Sequence, residues 1–298
     1  MKIRAYRWYG GKIRMVDKLD SLIPEHKVYC EPFMGSAALL LNQPRSEVEV
    51  VNDLDEDIYC FMKTLADREK GKVLVEKLRE LHYGKKVFKK ALECKKRNFA
   101  GLDEIGRAAM VYVLITQSFN CKRKSYSTAA FKDDDAYRED IEFHIPQVYE
   151  RLEGVRIENR DAVEILHEIA DDRDAFAFVD PPYRHDLRGK NATKVYGHEM
   201  SDSEQVRFLD TIKEAKCKIM ICGYRSQEGV DLYDRYLLPL GWKCYKLGEY
   251  VKACQRTKNG HKDMAEEFIW VNYELPKCAE YVISLKEYSS LNGGARYE

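Results

Sequence analysis

Ala175-Phe176-Ala177-Phe178-Val179 is an unbroken apolar run that stops abruptly at Asp180-Pro181-Pro182-Tyr183. Five apolar residues with no polar alternation describe a strand covered on both faces, which in turn demands helices on both sides of a sheet. The flanking sequence has the alternation that such a sheet needs. Lys27 to Glu31, Glu47 to Asn52, Val155 to Glu158, Cys217 to Cys222, Trp242 to Val251 and Glu267 to Tyr273 read as strands. Ser36 to Asn42, Leu54 to Ala66, Ala162 to Ala170 and Asp202 to Ala215 read as helical. The expected class is α/β, with a mainly parallel sheet and helices on both faces.

The middle of the chain reads differently. From about Asp67 to Arg151 no strand pattern occurs, and Ala108 to Ile115 is eight consecutive apolar residues suited to a buried helix. Lys85 to Arg97 carries seven basic residues and a single acid, Glu93. Asp133, Asp134 and Asp135 can cap a following helix. A mainly helical insertion, residues 67–151, within a discontinuous α/β domain of 1–66 and 152–298 accounts for this order. Fifty Lys and Arg balance fifty Asp and Glu. That excludes a protein that holds nucleic acid by bulk charge, while leaving room for a local basic patch. Nine scattered cysteines without a Cys-x-x-Cys pair read as reduced thiols, and no metal site is expected. No run approaches the roughly 18 apolar residues of a membrane span, and Met1 to Tyr6 lacks the apolar run of a signal peptide. A cytoplasmic chain with no membrane partner is expected, in which the glycosylation-type triplet Asn191-Ala192-Thr193 carries no weight.

Three clusters offer ligand chemistry at loop positions of the α/β frame. Trp8-Tyr9-Gly10-Gly11-Lys12 combines flat rings, a tight turn and a cation. In Glu31-Pro32-Phe33-Met34-Gly35-Ser36, Gly35 permits a turn and Ser36 is placed to cap a helix whose free amides suit an anionic group. Asp53, in Asn52-Asp53-Leu54-Asp55, follows Gly35 by 18 residues, near the spacing of an acid on ribose hydroxyls. Together they describe a site for a ligand containing ribose. The full Gly-x-Gly-x-x-Gly pattern is absent, which argues against a nicotinamide or flavin dinucleotide.

The tetrapeptide after the buried strand adds the reacting group. Proline keeps the residue before it extended, so Asp180 and Pro181 form a stiff arm. The arm offers a carboxylate, a backbone carbonyl and the Tyr183 ring: two acceptors and a stacking surface for the amino group of a planar base.

These motifs, in this order, resemble the Dam-like family of adenine-specific DNA methyltransferases over roughly residues 5–275. The resemblance implies a Rossmann-like class I methyltransferase sheet, S-adenosylmethionine as donor without a metal, and an inserted helical target-recognition domain. It implies that Trp8, Lys12, Asp53 and Asp180 contact the cofactor, with Asp161 near its adenine. Tyr9, Gly10, Glu31, Phe33, Gly35 and Ser36 complete the expected cofactor set. Asp180, Pro181, Pro182 and Tyr183 are the expected catalytic residues, acting on a flipped adenine. Ala37 stands where many relatives have a second glycine. The resemblance also places a DNA-reading loop after the buried helix, where Asn120, Lys122, Arg123, Lys124, Ser125 and Tyr126 are the candidates. In that loop Lys122 and Lys124 suit phosphates and Arg123 suits a guanine edge. The Arg-Tyr-Asn and Phe-Asn-Val-Pro elements of GATC readers are absent, so a different target is expected. Arg184 to Met200, with His185 and His198, reads as a lid. The implied partner is double-stranded DNA, for a monomer of bacterial or phage origin, with or without a separate restriction enzyme. An RNA adenine methyltransferase, a DNA-binding protein with an inactive site and, least of all, a nucleotide-binding oxidoreductase are the competing readings.

Overall fold

The computed structural model describes residues 2–184, 187, 200–226, 231–251, 264–276 and 286–287. In chain order its elements are α1 (Val16–Asp20), β1 (Val28–Glu31), β2 (Val48–Asn52), α2 (Glu56–Ala66), α3 (Arg68–Arg79), α4 (Lys85–Lys96), α5 (Glu104–Thr116), α6 (Asp134–Leu152), β3 (Arg156–Glu158), α7 (Ala162–Ile169), β4 (Ala175–Val179), α8 (Asp202–Ile212), β5 (Lys218–Gly223), α9 (Leu232–Leu237), β6 (Lys243–Val251), β7 (Met264–Val271) and β8 (Lys286–Glu287). His185, His198 and most of the expected lid lie outside the described residues, as do Asn191–Thr193, Cys254 and Cys278.

Aspartate starts most of the helices. Asp55, Asp67, Asp103, Asp133, Asp161 and Asp231 each accept backbone amides at the first turn of α2, α3, α5, α6, α7 and α9. Ser201 and Glu204 form a reciprocal capping box on α8. Each cap satisfies amides that the helix itself cannot, typically stabilising it by about 1 kcal/mol.

The chain divides into two interleaved units. The first comprises 1–16, 34–44 and 51–159. Here α2 packs on α3 and α5, α3 on α5 and α6, and α4 on α5. The apolar run of α5 is buried along Val111, Tyr112, Val113, Leu114 and Ile115. Phe61 of α2 stacks on Tyr112, with centroids 5.4 Å apart. The end of β2 and β3 also belong to this unit, where the Asp53 amide donates to the Glu158 carbonyl at 3.2 Å.

The second unit comprises 17–33, 45–50 and 160–298. Its strands follow the order β2-β1-β4-β5-β7-β6-β8. β1, β4 and β5 are parallel, whereas β7 runs antiparallel to β5 and β6. All five residues of β4 are buried. Ala175, Ala177 and Val179 belong to a core with Ile165, Phe208, Ile212 and Trp270. Phe176, on the opposite face, meets His26, Tyr29 and Tyr273. β4 is therefore covered on both faces, as its unbroken apolar sequence requires. Because β1, β4 and β5 are parallel, Glu31, Asp180 and Tyr224 emerge at one edge of the sheet, the carboxyl edge where α/β proteins bind ligands.

One expected element does not form. Residues 36–39 make no α-helix, and a 3-10 turn at Leu40–Asn42 is all that follows Gly35. Ala37 has φ +48°, in the left-handed region where a helix cannot start. Ser36 therefore caps no helix, and the Gly35 amide donates to the Asp53 carboxylate instead. Among the described residues, no helix is long and apolar enough to cross a membrane, and the seven described cysteines are free thiols.

Gly71 of α3 admits no side chain. A Cβ there would lie 2.3 Å from the Leu65 carbonyl oxygen and 2.8 Å from the Tyr149 ring of α6. Gly71→Ala is expected to lower stability by about 1–3 kcal/mol, read as a reduced urea midpoint. Gly84→Ala, with nothing within 4 Å of the new carbon, meets no clash and should lower stability only by the loss of the α4 N-cap preference, about 1 kcal/mol or less.

Candidate active site

In the first unit the turn at Gly35 is built around Asp53. Asp53 Oδ2 accepts the Gly35 amide and Oδ1 accepts the Asp55 amide, both at 2.9 Å. The Asn159 side chain donates to the Asp53 carbonyl at 2.7 Å. The Tyr6 hydroxyl donates to the Gly35 carbonyl at 2.8 Å. The carboxylate is thus fixed in position while half of its acceptor sites remain, since two oxygens offer about four lone-pair positions. Burial raises the Asp53 carboxyl to about 6, against the two amides and the Arg123 guanidinium, which pull it down, and with Asp55 adding to the rise.

Trp8 packs over this turn. A Cβ on Gly35 would stand 2.8 Å from the indole nitrogen, and Gly35 has φ +47°. Gly35 is therefore required twice, for close approach and for a left-handed turn. Trp8 also meets Tyr6 edge-on at 5.8 Å. Gly10 has φ +74°. Lys12 is buried, and its ammonium donates to the Gly10 carbonyl at 3.2 Å. Ser36 is buried beside Gly11. Trp8, Gly10, Lys12, Gly35, Ser36 and Asp53 of the sequence motifs thus occupy this unit.

The loop after α5 belongs to the same unit. The Phe119 amide donates to the Ser125 carbonyl and the Ser127 amide to the Gln117 carbonyl, each at 2.9 Å, closing the loop at its base. Asn120, Cys121 and Arg123 all have left-handed φ near +50 to +60°. Lys124 and Ser125 are exposed and Tyr126 half-buried. The Lys122 ammonium lies 5.3 Å from the Tyr9 ring centroid, a cation–π contact. Arg123 departs from the sequence reading. Its guanidinium is not presented to solvent as a base reader but is engaged by Asp55 and Asp57, at 2.9 and 3.0 Å from Nη1, and its side chain is 11% exposed. Burial works against both charges of this cluster. The pairing outweighs it, holding the Asp55 carboxyl below and the Arg123 guanidinium above their usual ranges.

In the second unit the Asp180 arm leaves β4 and is braced at two points. Gln205 of α8 donates to the Pro182 carbonyl at 3.0 Å and accepts the Tyr233 hydroxyl at 2.7 Å. The Tyr183 hydroxyl donates to Glu267 of β7 at 2.8 Å, a buried pair. The Tyr183 ring is 9% exposed and meets Tyr224 edge-on at 4.5 Å. Neither Gln205 nor Glu267 carries a sequence signal for this role, because each reaches the arm from a distant element. Glu31 is buried and accepts the Tyr29 hydroxyl at 2.6 Å, while Phe33 packs edge-on to Phe208. Asp161 caps α7 through the Val163 amide and pairs with Arg207 at 2.6 Å. Burial raises its carboxyl, but those two partners outweigh it and hold the group below its usual value.

A mixed sheet whose parallel strands lead into an Asp-Pro-Pro-Tyr arm at their carboxyl edge, and a glycine turn built on an aspartate, are consistent with a class I methyltransferase fold. The family model for D12 class N6 adenine-specific DNA methyltransferases matches residues 8–247. The chain belongs to that family, as the motif resemblance implies. Over 60 residues it is 35% identical to the DNA N-6-adenine-methyltransferase of Escherichia phage P1. That stretch is 20% of this chain and 8% of the phage protein. Glu267 lies beyond the span of the family match.

Gly35→Ala is expected to displace the Trp8 indole, moving its fluorescence maximum, and to cost about 1–3 kcal/mol through the left-handed backbone and the clash. In a Trp8→Leu background the same change should cost about 1 kcal/mol less, since the clash is removed while the backbone penalty stays.

Proposed function

We propose that this chain transfers a methyl group from S-adenosylmethionine to the exocyclic amino group of adenine in double-stranded DNA, and that residues 67–151 act as its target-recognition part. The observation that carries the reading is the Asp180 arm, rooted in a buried strand and braced by Gln205 and by Glu267.

The residues of the glycine turn fit the donor. Asp53 is a fixed carboxylate with acceptor capacity left for ribose hydroxyls, and the Gly35 turn lies in contact with the Trp8 indole. Trp8, Tyr9, Gly10, Lys12, Glu31, Phe33, Ser36 and Asp161 are the remaining residues assigned to it. When bound, S-adenosylmethionine supplies a methyl group already made electrophilic by its sulfonium.

The chain's own groups act on the base. The adenine amino nitrogen is a weak nucleophile because its lone pair is delocalised into the ring. Accepting its N–H groups on the Asp180 carboxylate and the Pro181 carbonyl favours a pyramidal nitrogen and offsets the positive charge that develops there. Stiffness of the two prolines holds both acceptors in place, which is the larger part of catalysis by positioning. Extruding the base from the duplex costs a few kcal/mol, and stacking against the Tyr183 ring returns part of it.

The basic helix α4 supports a polyanionic substrate. Lys85, Lys86, Lys89, Lys90 and Lys96 are exposed along one side, with Arg97 just beyond, whereas Phe88 and Ala91 face the core. With Lys122 and Lys124 these cations suit phosphates. The absence of the Arg-Tyr-Asn and Phe-Asn-Val-Pro elements of GATC readers supports a sequence preference other than GATC.

Labelled methyl transfer from S-adenosylmethionine to duplex DNA tests the reading, with RNA as the competing substrate. Asp180→Ala is expected to lower turnover at least a hundredfold while the thermal midpoint stays near wild type. Turnover within tenfold would sink the mechanism, and transfer to RNA alone would sink the substrate. Replacing Lys85, Lys86, Lys89 and Lys90 with Gln should reduce the slope of log affinity against log salt by about 0.9 for each phosphate that is no longer neutralised. An unchanged slope removes α4 from the interface.

A further inference from the structure

Asp55 and Asp57 sit at the head of α2, and Arg123 lies 68 residues after Asp55 in the loop behind α5. All three side chains are 11–13% exposed. Asp57 is shared further, with Lys95 at 2.5 Å and Arg107 at 3.5 Å. The backbone around Arg123 is equally committed: φ is +56°, and its amide donates to the Ser118 hydroxyl at 2.9 Å. On the other side Asp55 joins directly to Asp53, whose Oδ1 accepts the Asp55 amide and whose Oδ2 holds Gly35. A continuous path of hydrogen bonds thus runs from the 117–127 loop through Arg123, Asp55 and Asp53 to the Gly35 turn.

We propose that Arg123 is a positioning residue rather than a base reader: its grip on Asp55 and Asp57 ties the DNA-facing loop to the turn that holds the cofactor's ribose acid. The proposal rests on the functional reading above for the ligands it couples, but the tie itself is a property of the chain. Cofactor and DNA affinity are then linked, and linkage of this kind is reciprocal. Loss of the cation weakens both together and leaves the recognised sequence unchanged.

The pH dependence gives the tie a signature that mere loosening of the fold does not. The charged and titratable groups facing Asp53 are Asp55, Arg123 and Tyr6. Burial raises its carboxyl to about 6, Asp55 raises it further, and Arg123 lowers it. Cofactor binding by the carboxylate is therefore fullest well above pH 6 and weakens as pH falls through about 6, by up to tenfold per unit. Removing the guanidinium takes away a lowering influence, so the midpoint must rise.

The test uses the full chain with Arg123→Met and Arg123→Lys. Calorimetric titration with S-adenosylmethionine between pH 5 and 7.5 is expected to give an affinity loss of about tenfold in Arg123→Met and a midpoint above that of wild type. Arg123→Lys should restore most of the midpoint, since it returns the charge but not the fork. Methylation-site mapping should give the same sequence as wild type. Unchanged cofactor affinity and midpoint, with relaxation at one base position, would overturn the proposal and return Arg123 to base reading. Amide exchange in the ligand-free chain decides the tie independently. Protection at Gly35, Asp55 and 117–127 should fall in Arg123→Met, and unchanged protection overturns the proposal. A wild type that binds no S-adenosylmethionine would instead fail the functional reading while the exchange result still stands.

Discussion

The ion cluster of Asp55, Asp57 and Arg123 fixes the geometry on which the first unit's site depends. Charges this far from solvent are stable only when every partner is supplied. Asp55 meets that condition by accepting the amides of Asp57 and Ile58 as well as the guanidinium. Removing one member of such a cluster typically costs about 3–5 kcal/mol, because the others are left uncompensated. The same Asp55 that starts α2 therefore also anchors a loop more than sixty residues away and sets the electrostatic surroundings of Asp53. Capping, anchoring and tuning are carried by one side chain, and none can be changed alone.

The second unit solves a different problem. Two prolines remove the amides that would otherwise tether the arm, so its position must come from side chains. Gln205, itself held by the Tyr233 hydroxyl, holds the Pro182 carbonyl, and Glu267 holds Tyr183. The acceptor group at the end of the buried strand is thus stiff by covalent geometry at one side and by hydrogen bonds at the other. This is the arrangement expected where small displacements of a reacting atom carry large rate penalties.

How much of this could be read beforehand differs by kind of interaction. β4 is legible to the residue, because an unbroken apolar run and a following proline pair leave no other conformation. The start of α6 is legible from Asp133, since capping is local. The helix expected after Ser36 fails because Ala37 adopts a left-handed backbone, a demand set by the Gly35–Asp53 turn and not by the propensity of the segment. Arg123 looks like an exposed cation among Lys122 and Lys124. Only Asp55 and Asp57, two acids on the first turn of α2, hinted that a buried cation was needed to match them. Gln205 and Glu267 left no trace, since their partners are a carbonyl and a hydroxyl contributed from elsewhere.

The position of β7 sets an order in time. Tyr183 and Glu267 are 84 residues apart, and β7 lies between β5 and β6 in the sheet. A ribosome adding roughly 5–20 residues per second delivers the partner of Tyr183 several seconds after the tyrosine itself. The first unit, by contrast, has all its segments once residue 159 has been made. The nascent chain can therefore finish the unit carrying Asp53 and Arg123 while the Asp180 arm still lacks its last brace. The arm proposed to act on the base thus gains its Glu267 brace only late in synthesis.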